Sequence, residues 1–345
     1  MQRRKAEQVE VCLGEDIQSH VDLWGDIRLV HHALPAVNLT QVDLSCDLLG
    51  HRLDAPLIIA GMTGGWSKAK QINERLAEAA NALGVGFGLG SLRPLGADRS
   101  LIDTYVPDVK VPLKIANIGA SQVGEELSIG TINELVHVIG ADVLAVHLNA
   151  VQEATQVGST IDGGWLSAIR ALSGKVDVPV IVKETGSGIS RAVALQLKSA
   201  VAGIDVGGWG GTNFALVESH RAAMKGDKKR ERLGQAFQQW GIPTPISIVE
   251  ADVGLPIIAT GGIRCGVDAA KALGLGASAV GVAQPLLAPA TVSTQAVTDW
   301  LTGFLDELRI ATWLLGKGGV KDIGKEDVIV TGLAAEWLRG RGLWK

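Results

Sequence analysis

The most informative stretch of this chain is Ala141-Asp-Val-Leu-Ala-Val-His-Leu-Asn-Ala-Val-Gln-Glu153. Its apolar first half is typical of a buried strand. Because side chains alternate along a strand, His147 and Asn149 share one face, and the following turn adds Gln152 and Glu153. Each of these polar groups would need a buried partner in a packed core, whereas a site for a polar ligand uses all four. A capped strand end with a solvated turn is the alternative.

Seven further apolar segments have the character of strands, and helical patterns separate most of them. The eight predicted strands are residues 57–61, 85–89, 113–117, 142–149, 180–184, 203–207, 256–260 and 278–282. Helices are predicted over 68–83, 190–199 and 267–273, and the charge run at 225–231 is predicted to be a solvated loop. Strands that alternate with helices pair in parallel, and eight such units close most simply into an α/β fold, the (β/α)8 TIM barrel.

We therefore expect one domain over residues 1–345, with an N-terminal lobe or extension at 1–56 and the barrel with C-terminal helices at 57–345. The formal net charge of −4 and the pI near 6.0 argue against nucleic-acid and anionic-membrane partners. The basic N-terminus is not followed by an apolar segment, so we predict neither a secretory signal nor a membrane anchor. Three scattered cysteines, Cys12, Cys46 and Cys265, fit a reducing cytoplasm.

Polar or glycine-rich motifs follow seven of the eight predicted strands. They are residues 62–65, 91–93, 117, 147–153, 183–186, 207–212 and 261–264. The carboxyl ends of barrel strands form the rim at which ligands bind, so these motifs predict one binding site.

Two of these motifs have the chemistry of a phosphate site. The glycines of 207–211 and 261–262 let backbone N–H groups approach an anion, and a helix that starts near Val267 adds its dipole. Thr212 and Arg264 would supply further donors. The alternative is that these glycines only make tight turns.

Lys183 lies on an otherwise apolar strand and shares a face with residues 181 and 185. A lysine that points into a barrel mouth needs an anionic partner. The adjacent Glu184 faces the other way, so it is poorly placed for that role.

The chain resembles the type 2, FMN-dependent isopentenyl diphosphate isomerases over nearly its whole length. The motifs that carry the resemblance are Met62-Thr-Gly-Gly65, His147-Leu-Asn-Ala-Val-Gln-Glu153, Lys183-Glu-Thr-Gly186, Gly210-Gly-Thr-Asn-Phe214 and Ala259-Thr-Gly-Gly-Ile-Arg264. The resemblance implies a TIM barrel, bound FMN, a magnesium ion, NADPH as reductant, and interconversion of isopentenyl and dimethylallyl diphosphate. It also implies a homo-oligomer, a tetramer or an octamer.

Residue by residue, the resemblance implies three groups of contacts. FMN would be held by Met62, Thr63, Gly64, Ser91, Asn117, Lys183 and Thr212, and its phosphate by Gly262, Ile263, Arg264, Ala283 and Gln284. The substrate would meet Arg4, Lys5, Ser91, Arg93, His147, Asn149 and Gln152, and Glu153 would bind magnesium.

The chain departs from the family pattern at three places. Gln8 stands where the family has a histidine, Leu92 replaces the glutamine of a Ser-Gln-Arg motif, and residues 156–162 differ from the family's Gln-Pro-Glu-Gly-Asp. A paralogue that acts on another or a longer prenyl diphosphate is therefore a further interpretation.

Isomerisation adds a proton at one end of an allyl unit and removes one at the other, without net redox change. Because the amide of Gln152 titrates poorly, the reduced flavin is the better candidate for proton transfer, through N5. Lys183 would stabilise negative charge on the reduced ring. Gln152 would position the substrate or relay a proton. Reduction by the nicotinamide nucleotide would then only prime the enzyme.

Two other classes of protein stay open. The first is a redox FMN barrel, such as a 2-hydroxyacid oxidase or a dihydroorotate-type dehydrogenase. An oxidase of this kind should carry a late His–Arg pair, and no histidine follows His220. The second is a non-catalytic phospholigand-binding barrel, which would not need the pair Gln152 and Glu153.

Overall fold

A closed barrel of eight parallel strands forms the centre of the computed structural model, which describes residues 2–18, 23–106, 108–156 and 163–344. The barrel strands are Leu57–Ile59 (β4), Gly86–Ser91 (β5), Lys114–Gly119 (β6), Val143–Leu148 (β7), Val180–Glu184 (β8), Gly203–Asp205 (β9), Ile257–Thr260 (β10) and Ala279–Val282 (β11). Each strand pairs with the next, and β11 returns to β4. All eight predicted strands and the (β/α)8 fold are thereby confirmed.

Fourteen α-helices occur in the described part of the chain. They are Gln2–Gly14 (α1), Ala69–Ala82 (α2), Arg93–Ala97 (α3), Ile129–Val138 (α4), Ala150–Thr155 (α5), Trp165–Ser173 (α6), Arg191–Leu197 (α7), Phe214–Ala223 (α8), Lys228–Ala236 (α9), Thr244–Glu250 (α10), Gly266–Gly274 (α11), Gln284–Val292 (α12), Thr294–Leu314 (α13) and Gly332–Gly340 (α14). The predicted helices at 68–83, 190–199 and 267–273 correspond to α2, α7 and α11. No described helix has both the length and the apolar character needed to cross a membrane.

The described residues before β4 are distributed around the barrel. Helix α1 lies against α8, and the short strand Ile27–Leu29 (β1) pairs antiparallel with Val328–Val330 (β12). A hairpin of Cys46–Leu48 (β2) and His51–Leu53 (β3) closes the amino end of the barrel.

The hairpin fills the barrel's interior at that end. Leu48 and Leu53 are almost completely buried, and they join a cluster of inward-facing barrel residues that includes Leu113 and Val143. The His51 ring lies 3.1 Å from the Pro112 carbonyl oxygen, just before β6. Because this hairpin fills the amino end with apolar side chains, a polar ligand site can form only at the opposite, carboxyl end of the barrel.

The prediction of a solvated loop at 225–231 was wrong, because α9 begins within it. Asp227 caps this helix by accepting a hydrogen bond from the Arg230 amide at 3.1 Å. Gly234 lets the helix approach α8 so closely that an added Cβ would lie 2.5 Å from the Ala215 carbonyl oxygen. The capping aspartate was the sequence signal for this helix.

Candidate functional site

A cavity at the carboxyl end of the barrel brings together the residues that the sequence pointed to. Those that line it are Arg4, Lys5, Met62, Thr63, Ser91, Arg93, Asn117, His147, Asn149, Gln152, Glu153, Lys183, Thr212, Gly262, Ile263, Arg264, Ala283 and Gln284. Gly64 is not among them. It packs against Tyr105, where a Cβ would come within 2.5 Å of the aromatic ring.

Two glycine turns pack against each other on one side of the cavity. A Cβ on Gly211 would lie 2.6 Å from the Gly262 amide nitrogen, and one on Gly262 would lie 2.5 Å from the Gly210 carbonyl oxygen. Gly262 also has a φ of +72°, which favours glycine. The glycines are therefore required by close backbone approach as well as by turn geometry. We call residues 207–212 and 261–264 the glycine cup.

A basic cluster of Arg4, Lys5 and Arg93 lies elsewhere in the same cavity. Burial, reinforced by the charges of Arg4 and Arg93, lowers the pKa of Lys5 to about 8. Burial and the charge of Arg93 also lower the pKa of Arg4. In all, five basic side chains and two carboxylates line the cavity, so a polyanion would relieve this repulsion.

His147 is neutral at physiological pH. Burial, followed by the charges of Lys183 and Lys5, lowers its pKa to about 3. Its Nδ1 lies 2.8 Å from Oδ1 of Asn117, which fixes the orientation of the ring. The side chain therefore acts as a polar, uncharged group beside the two lysines.

Glu153 is connected to the N-terminal helix through a chain of amides. Its Oε1 accepts a hydrogen bond from Nδ2 of Asn149 at 2.9 Å, and its Oε2 accepts one from Gln156. Arg4 donates to Oε1 of Gln156 at 3.2 Å. Because the Nδ2 atom of Asn149 faces Glu153, the Oδ1 atom of the same amide points away from Glu153. This Oδ1 atom is buried and has no hydrogen-bond partner among the described residues. The residues after position 156 in the divergent family motif lie outside the described ranges.

Gln152 and Gln8 share an acceptor that the sequence did not reveal. Glu218 on α8 accepts hydrogen bonds at the same oxygen from Nε2 of Gln152 at 3.3 Å and from Nε2 of Gln8 at 3.0 Å. One turn further along α8, Arg221 forms a buried ion pair with Glu7 at 3.0 Å. These contacts attach α1 to α8. They were missed because helix positions far from any strand end carry no local signal of a site.

Asp205 is the acidic residue that lies beside Lys183 on the neighbouring strand, although Nζ of Lys183 donates its hydrogen bond to the Glu184 carbonyl oxygen at 3.3 Å. Lys183 and Asp205 are paired in register on β8 and β9. Burial raises the pKa of Asp205, and Lys183 opposes that rise. Glu184 is instead bound to the backbone of its own turn, where it accepts from the amides of Thr185 and Gly186 at 2.6 and 2.8 Å. Burial raises the pKa of Glu184 to about 7.

Comparison with known proteins first identifies the class of protein, that of FMN-dependent barrel enzymes. Residues 145–330 match the family model of FMN-dependent dehydrogenases. Two similar solved structures are a flavocytochrome b2 variant with benzoylformate (TM-score 0.67, 17% identity, 97% of this chain and 87% of that one) and mandelate oxidase with (S)-2-phenylpropionate (TM-score 0.64, 18% identity, 95% and 96%). At these identities the structural likeness shows the fold alone.

Similar relatives then define the family. The chain is 42% identical to the isopentenyl-diphosphate delta-isomerase of Methanosarcina mazei over 350 residues, which cover 99% of this chain and 95% of the relative. It is 40% identical to the enzyme of that name from Thermoplasma acidophilum over 347 residues, covering 98% and 99%. The chain belongs to the isopentenyl-diphosphate delta-isomerase family, and the resemblance noted in the sequence is confirmed.

Proposed function

We propose that this protein interconverts isopentenyl and dimethylallyl diphosphate with FMN bound in the cavity. The observation that carries the proposal is that one cavity contains two separate regions suited to anions. The glycine cup follows β9 and β10, whereas Arg93 of the basic cluster follows β5 on another part of the barrel. A phosphorylated cofactor and a diphosphate substrate need two such regions.

The residues present fit FMN. No Cβ atom covers the backbone where the two turns of the glycine cup meet. Helix α12 begins at Gln284, whose amide precedes the first helical hydrogen bond, from Leu286 to the Ala283 carbonyl oxygen. The phosphate would be held by Gly262, Ile263, Arg264, Ala283 and Gln284. The rest of the cofactor would lie against Met62, Thr63, Ser91, Asn117, Lys183 and Thr212, and Gly64 would keep the chain after Thr63 close to Tyr105. When bound and reduced, the flavin supplies a group that can donate and accept a proton.

The oxygen atoms near Glu153 fit a magnesium ion that arrives with the substrate. The described residues contain no group of three or more acidic, histidine or cysteine side chains that could hold a metal. Magnesium commonly uses one or two carboxylates and completes its shell with phosphate oxygens and water. Glu153 supplies one carboxylate, and the unpartnered Oδ1 of Asn149 lies in the same cavity.

The protein's own side chains would orient and polarise the reacting groups. Lys183 would place a positive charge beside the flavin, balanced by Asp205. Gln152 would be held towards the allyl group by Glu218. Arg4, Lys5 and Arg93 would bind the diphosphate with Ser91, His147 and Asn149. Helix α1 covers the cavity and would exclude water from it.

The proposal extends to the reductant, the assembly and the compartment. NADPH would be needed to prime the flavin and would not be consumed in each turnover, because the reaction has no net redox change. A homo-oligomer of four or eight subunits and a cytoplasmic location complete the proposal. The three free cysteines are compatible with a reducing compartment.

An anaerobic assay tests the proposed activity. Purified protein is incubated with isopentenyl diphosphate, FMN, MgCl2 and NADPH, and dimethylallyl diphosphate is measured. We expect product only when flavin and magnesium are both present, with much less than one NADPH oxidised per product. Oxidation of a 2-hydroxyacid such as mandelate, without isomerisation, would instead assign the protein to the redox alternative.

A further inference from the structure

Gln18 connects the N-terminal segment to the glycine cup. It lies four residues beyond the end of α1 and forms an antiparallel bridge with Thr212. Its Oε1 accepts a hydrogen bond from Nη2 of Arg264 at 2.9 Å. Because a guanidinium only donates, the oxygen of the amide must face Arg264, and this fixes the position of the amide nitrogen.

The nitrogen of this amide lacks an acceptor. Nε2 of Gln18 is buried and has no hydrogen-bond partner among the described residues, and the side chain lines the cavity. A buried N–H group without an acceptor is unfavourable, and an anion is the strongest acceptor that the cavity could receive. No local pattern in the sequence indicated this donor.

Arg264 is already engaged with the protein. Its Nη1 donates to the Gly262 carbonyl oxygen and its Nη2 to that of Gly210, each at 3.2 Å, in addition to the bond with Gln18. The side chain is exposed. These three bonds use three of its five N–H groups, so Arg264 links the two glycine turns to Gln18 while it lines the cavity, and the Gln18 amide is a further donor beside it.

We propose that Gln18 donates its amide to the phosphate of FMN and that Arg264 positions Gln18 for this contact. This inference rests on the proposed binding of FMN. It assigns cofactor recognition to the N-terminal segment, whose helix α1 also carries Arg4 and Lys5 of the basic cluster. One segment would then contact the cofactor at one end and the substrate at the other.

The test compares the binding of FMN and riboflavin, which lacks the phosphate. Dissociation constants are measured by quenching of flavin fluorescence for the wild type, Gln18→Ala and the isosteric Gln18→Glu. Since hydrogen bonds to charged groups contribute roughly 1.5–3 kcal/mol, we expect Gln18→Ala to weaken FMN binding about tenfold or more. Gln18→Glu should weaken it further by placing a negative charge in the cup. Riboflavin should bind all three proteins equally.

Gln295→Ala is the control, because it removes an exposed glutamine that is bonded to Asp299 at 2.7 Å and lies on α13, away from the cavity. It should leave the affinity for FMN unchanged. Unchanged FMN binding in both Gln18 variants, or an equal loss for FMN and riboflavin, would overturn the inference while leaving FMN binding by the wild type intact. Failure of the wild type to bind FMN would instead refute the proposed function.

Discussion

Lys183 on β8 and Asp205 on β9 are register partners inside the carboxyl end of the barrel. Side chains paired in this way on parallel neighbours lie on the same face of the sheet. In its ionised form the buried carboxylate offsets the charge of the lysine that we place beside the flavin; burial raises the pKa of Asp205 against that form, and the charge of Lys183 favours it. This relationship leads to a test that does not depend on turnover.

Asp205→Asn should raise the midpoint potential of bound FMN. Removing a negative charge favours the more negatively charged, reduced cofactor, and at an effective dielectric of about 20 one charge several ångströms away contributes roughly 2 kcal/mol, or tens of millivolts. The potential is measured by anaerobic redox titration. Asp252→Asn, which removes a carboxylate paired with Lys325 at 2.8 Å, is the control with the same charge change. Equal potentials in the two variants would show that Asp205 has no electrostatic role.

The lowered pKa of Lys5 predicts a pH-dependent affinity for the substrate. Below a pH of about 8 the side chain is charged and binds an anion, and above it the charge is lost. We therefore expect the KM for isopentenyl diphosphate to rise as the pH increases through 8, with little change in kcat. Lys5→Arg should flatten this profile, because arginine stays protonated there. A wild-type profile that matches that of the arginine variant would contradict the prediction.

Glu153→Gln should lose most activity while keeping its flavin. A carboxylate that binds the metal provides charge that an amide cannot, and we expect a decrease in kcat of about 100-fold or more with a weaker response to added magnesium. FMN affinity should stay near the wild-type value. Glu125→Gln, at an exposed position, serves as the control. Full activity with an unchanged magnesium response would mean that Glu153 only holds Asn149 and Gln156 in place.

Gly262→Ala should abolish FMN binding with only a moderate loss of thermal stability. Its methyl group would collide with the Gly210 carbonyl oxygen and separate the two turns of the glycine cup. Gly276→Ala is the matched control, since Gly276 also has a positive φ, of +111°, but its Cβ would lie no closer than 3.8 Å to the nearest heavy atom. Flavin titration and thermal denaturation are measured for both. Equal effects of the two substitutions on FMN affinity would refute a specific role for the cup.

The sequence predicted the barrel well because its signals are local. Apolar runs, glycine turns and the polar residues that follow each strand can be recognised within a few positions, and the barrel then gathers them at one rim. Glu218 and Asp205 were not identified, because their importance arises from contacts with Gln8, Gln152 and Lys183 across the fold. Helix α9 was missed for a different reason: Asp227 caps it but lies within a run of charged residues, and that run was interpreted as a solvated loop.

The apolar hairpin of β2 and β3 affects how ligands enter and leave the cavity. Leu48 and Leu53 close the amino end of the barrel, so among the described residues the interior opens at the carboxyl end, where residues of α1 line the cavity. The cofactor and the substrate, which would share this cavity, would therefore enter through the same opening. The exchange of both molecules therefore depends on the position of α1, whose residues line the same opening.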